Sequence, residues 1–259
     1  MEHALLLALE YDGSAFSGWQ RQPERRTVQQ VVEEALSRLA GSPRTAIAAG
    51  RTDAGVHALG MPVSTSMPAH WTAAELLRAL NAVLPRDVAV REIRRTTGAH
   101  DARRGAEGRR YRYDVGTDAS VRSPFRGQTE WPLGRELDLA AMQRAAMVLP
   151  GEHEFLAFMV TGEPKPHYRC RIVEASWSEV EAGRLRFTVA ADRFLHHMVR
   201  MLVGTMVEIG LQRRPESDMA RLLTLPHNAE TSAPAPAAGL SFVSAVYPEA
   251  YFLAERATW

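Results

Sequence analysis

The order strand, helix, strand, strand, helix, strand can be read twice along this chain, and that repetition restricts the fold more than any single residue does. Ala4 to Glu10 is a short apolar run suited to a buried strand. Thr27 heads a helix whose Val28, Val31, Val32, Ala35, Leu36 and Leu39 share one face, with Gln30 completing a capping box and Gly41 as the stop. Thr45 to Ala49 and Met61 to Ser66 read as the next two strands. A second capping box, Thr72 with Glu75, opens a helix carrying Leu76, Leu77, Leu80, Val83 and Leu84 that ends at Pro85. Val88 to Thr96 completes the set. Its apolar positions Val88 and Val90 are followed by Ile93, one residue out of alternation, so a bulge is expected.

The second half repeats the order more loosely. Arg109 to Val115 alternates as a strand, Asp138 caps a helix with Leu139, Met142, Ala146 and Leu149, and Arg171 to Val180 and Leu185 to Ala191 pair around Ala182-Gly183. A long apolar helix from about Arg193 to Ile209, a shorter one after Pro215, a loop from Ala233 to Gly239 and a last strand from Leu240 to Tyr247 follow. A chain of 259 residues sits near the size at which one core gives way to two. The expected architecture is therefore α+β, two tandem βαββαβ subdomains of the ferredoxin or RRM type with mainly antiparallel sheet, spanning 1–105 and 106–259. The joint falls at 97–108, where Gly, Ala and Arg replace periodic pattern.

Composition excludes some classes. No apolar run approaches the roughly 18 residues needed to span a bilayer, and Ala4 to Leu9 is too short and lacks the cationic flank of a secretory leader. A soluble, cytoplasmic protein is expected. The lone Cys170 rules out an internal disulfide and a cysteine-cluster zinc site. With 31 basic against 30 acidic residues there is no global field to draw nucleic acid. All but one of those basic residues are arginine, the exception being Lys165, a bias that points to genome composition. Locally the balance differs: Arg91 to Arg112 holds eight arginines against Glu92, Asp101 and Glu107, with Tyr111 and Tyr113 interleaved. That pattern suits an RNA cleft, and it equally suits a solvated charged strand.

The chemistry concentrates in Ala48-Ala49-Gly50-Arg51-Thr52-Asp53-Ala54-Gly55-Val56-His57. Two glycines would let a loop present Asp53, and a neighbouring guanidinium favours its ionised form, as a nucleophile or base requires. Taken alone the block could also be an ordinary turn with Arg51 as a surface partner. The loop from Tyr11 to Pro23 carries three aromatics, which are loop anchors or base-stacking platforms. His196 and His197 would point about a hundred degrees apart on a helix, which does not suit a shared metal. Arg200 lies in an apolar helix and needs a partner. The chain has no P-loop, no dinucleotide fingerprint after a strand and no H-E-x-x-H, so neither metal nor nucleotide cofactor is expected.

Tyr11-Asp12-Gly13, Gly18-Trp19-Gln20, the Gly50 to His57 block, Arg109-Arg110-Tyr111-Arg112-Tyr113, Phe194 to Arg200 and Gly239-Leu240 together resemble the tRNA pseudouridine synthase A family, in order and along nearly the whole chain. The resemblance implies the pseudouridine synthase fold, two α+β halves with a cleft between them, working as a homodimer without cofactor. It implies isomerisation of uridine to pseudouridine at positions 38, 39 and 40 of the tRNA anticodon arm, with Asp53 as catalytic carboxylate. It further implies Tyr111 stacking on the uracil, Arg200 pairing with the carboxylate, Leu240 under the base, and Arg51 at the substrate. Trp19, Gln20, Arg21, Arg109 and Arg110 would contact RNA. His57, His196 and His197 match the motifs without an assigned chemistry, and residues 159–171 are least like the family. The rival readings are a non-catalytic RNA-binding module of tandem RRM-like domains and a hydrolase, the latter wanting a second carboxylate near Asp53.

Overall fold

The first strand shows how the pattern becomes structure. In β1 (Glu2–Tyr11) every second side chain, Leu5, Leu7, Leu9 and Tyr11, is buried, as one-faced burial of a pleated strand requires. The computed structural model describes residues 1–124, 126–160 and 167–259; Lys165 and the middle of the 159–171 stretch lie outside them. After β1 come α1 (Val28–Ala40), β2 (Ile47–Ala48), β3 (His57–Pro68), α2 (Ala73–Val83), β4 (Val88–Thr96) and the short α3 (Ala102–Gly105). β1 pairs antiparallel with both β3 and β4. Ala8 sits opposite Glu92 and Leu9 opposite Val90, so Arg91 is the extra residue of a bulge, and Val88, Val90 and Ile93 are all buried because of it. The Thr72–Glu75 capping box is complete. At Thr27 it is half made: the threonine takes the Gln30 amide N–H, but the Gln30 side chain turns away to Glu34 at 2.8 Å. β2 is shorter and β3 longer than the sequence suggests.

The second unit begins with β5 (Gly108–Gly116) and continues through β6 (Trp131–Pro132), α4 (Leu139–Ala146), β7 (Gly151–Glu154), β8 (Arg169–Glu181), β9 (Arg184–Ala191), α5 (Met198–Gly210) and α6 (Asp218–Leu222). Its strands run in the order β5-β9-β8-β7, all antiparallel, with β6 parallel to β5. Tyr113, Val115, Phe187, Val189 and Trp177 form the apolar layer, against which α5 and α4 bury Met142, Leu202, Met206 and Val207. β8 and β9 meet at Gly183, whose φ of +73° is the left-handed turn the sequence anticipates.

The chain then returns. β10 (Leu240–Val246) and β11 (Phe252–Thr258) follow, and residues Phe242–Trp259 belong with Met1–Glu107, while Gly108–Ser241 form the second unit. The first unit's strands accordingly run β11-β4-β1-β3-β10, with β2 also on β3. The expected single span of 106–259 is corrected by this return. Its causes are the place of β10 beside β3, and β11, an exposed edge strand absent from the sequence reading. It is held to β4 by Arg256–Glu92 at 2.6 Å, Arg95–Glu255 at 3.1 Å and the Arg94 guanidinium 3.4 Å over the Phe252 ring. Both units are mixed α and β with mostly antiparallel sheet. Among the described residues no helix is long and apolar enough to cross a membrane.

Candidate functional site

Asp53 lies in the loop that joins β2 to β3, half-buried, with Arg51 exposed beside it. Its carbonyl accepts the Val56 amide at 3.2 Å, and Gly55 takes a φ of +79°, which closes a tight turn under the carboxylate. The loop is held from behind by residues 11–19. The Tyr11 hydroxyl and Thr52 Oγ1 are 2.8 Å apart in a buried position, Trp19 N donates to Thr52 O at 3.0 Å, and Gly55 N donates to Phe16 O at 3.3 Å. Two glycines allow this contact. A Cβ on Gly13 would fall 2.0 Å from Val56 O, and one on Gly18, where φ is +89°, would fall 2.7 Å from Thr52 O.

The expected aromatic loop is therefore a cradle. Tyr11, Phe16 and Trp19 are all buried, Trp19 to 2 % exposure, so its ring offers no stacking face in this structure. Gln20 bonds Gln29 at 2.9 Å, and Arg21 reaches Glu33 at 3.0 Å. His57 opens β3 with its Nδ1 3.1 Å from Gly13 N and 3.2 Å from Asp12 Oδ1. Burial works to raise the Asp12 carboxyl, but with hydrogen bonds from the Ser14 hydroxyl and amide acting the other way the group lies below its usual range. The Tyr11–Thr52 pair joins hydroxyls forty-one positions apart and the glycine contacts are to bare backbone, so in the sequence only the glycines themselves mark this support.

In the second unit Tyr111 and Tyr113 sit on one face of β5, opposite Val189 and Phe187 of β9. Tyr111 is 9 % exposed and meets the Phe194 ring edge-on at 5.0 Å. Tyr113 is fully enclosed: burial pushes its phenol well above the ordinary value, and its hydroxyl donates to Pro236 O at 2.7 Å. The Arg200 Nε donates to Ala235 O at 2.7 Å while Ala235 N donates back to Arg200 O at 2.9 Å, so the Ala233 to Gly239 loop fixes both side chains. Two glycines again permit the approach, Gly204 under Ala233 O and Gly239 against the Tyr113 ring. Leu240, just beyond that loop, is buried. α5 starts five residues later than expected, because His197 adopts a left-handed φ of +61° ahead of it. His196 and His197 therefore precede the helix, their rings 4.1 Å apart, and the helical argument against their cooperation does not apply.

The arginine-rich stretch is less of a field than its composition suggests. Arg91 pairs with Glu10, Arg94 with Glu249, Arg95 with Glu255, Arg110 with Glu174 at 2.6 Å and Arg112 with Asp114. Arg109 donates to Asp192 O at 2.8 Å. Most of the local excess is answered by acids distant in sequence, Asp114 beside Arg112 being the local one; Arg103 and Arg104 are exposed, Arg104 with Asp101 at 4.0 Å.

Comparison with known proteins gives the relationship. A family model described as tRNA pseudouridine synthase matches residues 7–99 and 145–248, intervals that contain Trp19, Arg51, Asp53, Arg200 and Leu240; Arg109, Arg110 and Tyr111 fall in the gap. A tRNA pseudouridine synthase A from Moorella thermoacetica is 41 % identical over 238 residues, covering 91 % of this chain and 96 % of that protein. One from Myxococcus xanthus is 38 % identical over 243 residues, covering 94 % and 91 %, and one from Enterobacter sp. is 39 % identical over 257 residues, covering 97 % and 92 %. The chain belongs to the tRNA pseudouridine synthase family.

Proposed function

We propose that this protein isomerises uridine to pseudouridine at positions 38, 39 and 40 in the anticodon stem-loop of tRNA, with Asp53 as the catalytic carboxylate. The observation that carries the reading is the Asp53 loop itself. A half-buried carboxylate is set on a turn that two glycine approaches and two backbone bonds from residues 16–19 hold in place, the preorganisation that a reacting group needs. The reaction breaks the C1′–N1 bond, joins C1′ to C5, releases the C5 proton and returns a proton to N1, so it needs no oxidant and no water. Tyr111, Leu240, Arg200 and Arg51 bind the substrate nucleotide in this reading, Tyr111 by its ring. Trp19, Gln20, Arg21, Arg109 and Arg110 serve the RNA, Trp19 by shaping the loop that carries its neighbours. A homodimer in the cytoplasm, organised as two ferredoxin-like halves, completes the proposal.

Tritium at C5 of uridine in tRNA tests it. Release with retention of uracil in the chain is expected from the wild type; a passive binder keeps the label, and a hydrolase frees labelled uracil. Asp53→Asn should abolish release while tRNA affinity stays within about tenfold, because the carboxylate acts on the bond and not on the phosphates. Turnover near wild type in that variant removes Asp53 from the chemistry.

A further inference from the structure

We propose that His57 is a positioning residue for Asp53: a neutral imidazole, protonated on Nε2, whose Nδ1 accepts the Gly13 amide and thereby fixes the cradle behind the loop. The inference rests on the proposed function insofar as Asp53 acts on the bond. Its geometric part stands alone.

Nδ1 faces two groups, Gly13 N at 3.1 Å and Asp12 Oδ1 at 3.2 Å, and one nitrogen cannot accept from the first and donate to the second. The competition is settled by what each group would lose. Asp12 is exposed and its Oδ1 already takes the Ser14 N–H at 2.9 Å, so it has other ways to be satisfied. Gly13 is buried, and a buried N–H left without an acceptor is costly. Nδ1 therefore accepts, and the ring's single proton is on Nε2. That nitrogen is buried in a residue 4 % exposed and meets no hydrogen-bond partner among the described residues. A phenyl or isobutyl group would avoid that penalty, so the advantage of an imidazole here lies in Nδ1. From Gly13 the connection to the catalytic loop is short. Gly13 O accepts Phe16 N at 2.9 Å, Phe16 O accepts Gly55 N at 3.3 Å, and the Gly13 backbone packs on Val56 O, with no room for a Cβ.

Two substitutions of similar polarity separate the ends of the ring. In His57→Asn the amide oxygen reaches the place of Nδ1, since both atoms are bonded to Cγ, whereas in His57→Gln the amide reaches only toward Nε2. His57→Asn should keep the single-turnover rate within about threefold of wild type, and His57→Gln should slow it on the order of a hundredfold, the effect of a small misplacement, with tRNA Kd for both within about threefold. In the free protein, hydrogen exchange at the Gly13 amide should stay protected in wild type and His57→Asn and quicken at least about tenfold in His57→Gln. Nitrogen-15 NMR of the wild-type ring at pH 7.5 should show the Nε2–H tautomer. An Nδ1–H or doubly protonated ring overturns the proposal, as does a Gln variant as fast as the Asn variant or equal Gly13 exchange in the two. If wild type releases no tritium, it is the proposed function that fails, and the exchange and tautomer measurements still decide what His57 holds.

Discussion

Gly18→Ala should damage catalysis out of proportion to its size, and Gly41→Ala provides the control. Both glycines have left-handed φ, +89° and +68°, so a side chain at either costs about 1–2 kcal/mol of backbone strain. They differ in surroundings. Nothing lies within 4 Å of a Cβ on Gly41, the residue that ends α1, while a Cβ on Gly18 falls 2.7 Å from Thr52 O and 3.2 Å from both Ala54 N and the Asp53 carbonyl carbon. Those are backbone atoms and cannot swing away as a flexible side chain would. Relief requires the two segments to part, which breaks or lengthens the Trp19 N to Thr52 O bond of 3.0 Å at a further cost of about 0.5–1.5 kcal/mol. For a chain of this size each kcal/mol moves the thermal midpoint by about 2–4 °C, so Gly18→Ala should melt roughly 1–6 °C below Gly41→Ala. Rate is the sharper readout. Gly41→Ala should turn over tRNA at the wild-type single-turnover rate, whereas displacing the Asp53 loop by several tenths of an ångström or more should slow Gly18→Ala by about tenfold to a hundredfold. Equal midpoints together with equal rates would show that the Gly18 contact does not hold the loop.

Three further outcomes are expected. Tyr111→Phe keeps the packing on Phe194 and should bind tRNA normally while turning over slowly if the hydroxyl moves a proton, an effect of about a hundredfold; Tyr111→Ala should fail at both and also lose about 3–5 kcal/mol of stability from the cavity left in the sheet face. A Phe variant as fast as wild type in single-turnover assays would reduce Tyr111 to a ring. Arg109→Ala and Arg110→Ala should each lower the slope of log affinity against log salt by up to about 0.7–0.9; filter binding across a salt series that shows no change for either would place the RNA elsewhere. Tyr113 bears on alkaline stability. Its phenol is raised by burial in the folded protein and titrates near 10.0 when unfolded, so its contribution is full below that pH and is lost as pH climbs toward the folded value. Tyr113→Phe should cost about 1 kcal/mol at neutral pH through the lost bond to Pro236 O and should flatten the decline of the urea midpoint above pH 10; a parallel decline in both proteins would contradict it.

Why some of this molecule was readable from its residues and some was not follows from what each feature writes into the chain. Helix ends are written in side chains, so Thr27, Gly41, Thr72, Glu75 and Asp138 marked their caps correctly, and the slip from Val90 to Ile93 marked the bulge at Arg91. β11 writes almost nothing: an edge strand held by Arg256–Glu92 and Arg95–Glu255 has no apolar alternation to see, and without it the return of residues 242–259 was invisible. Charge misled for a related reason. The excess from Arg91 to Arg112 was counted along the chain, but its partners Glu10, Glu174, Glu249 and Glu255 are distant in sequence, and only the fold brings them in.

The Asp53 loop combines both cases. Asp53 announced itself through the residues around it, while the groups that hold it, Thr52 O, Phe16 O and Val56 O, are carbonyls that every residue possesses. A backbone-to-backbone approach leaves one trace, the absence of a Cβ. Gly13 and Gly18 on one segment are that trace, and they mark the surface where residues 11–19 press on the loop. The aromatics between and beside them were open to two readings, stacking platform or anchor. The glycines bring the two backbones into contact, and Phe16 and Trp19 on the same segment are both buried, so they anchor the support of the Asp53 loop and offer no stacking face.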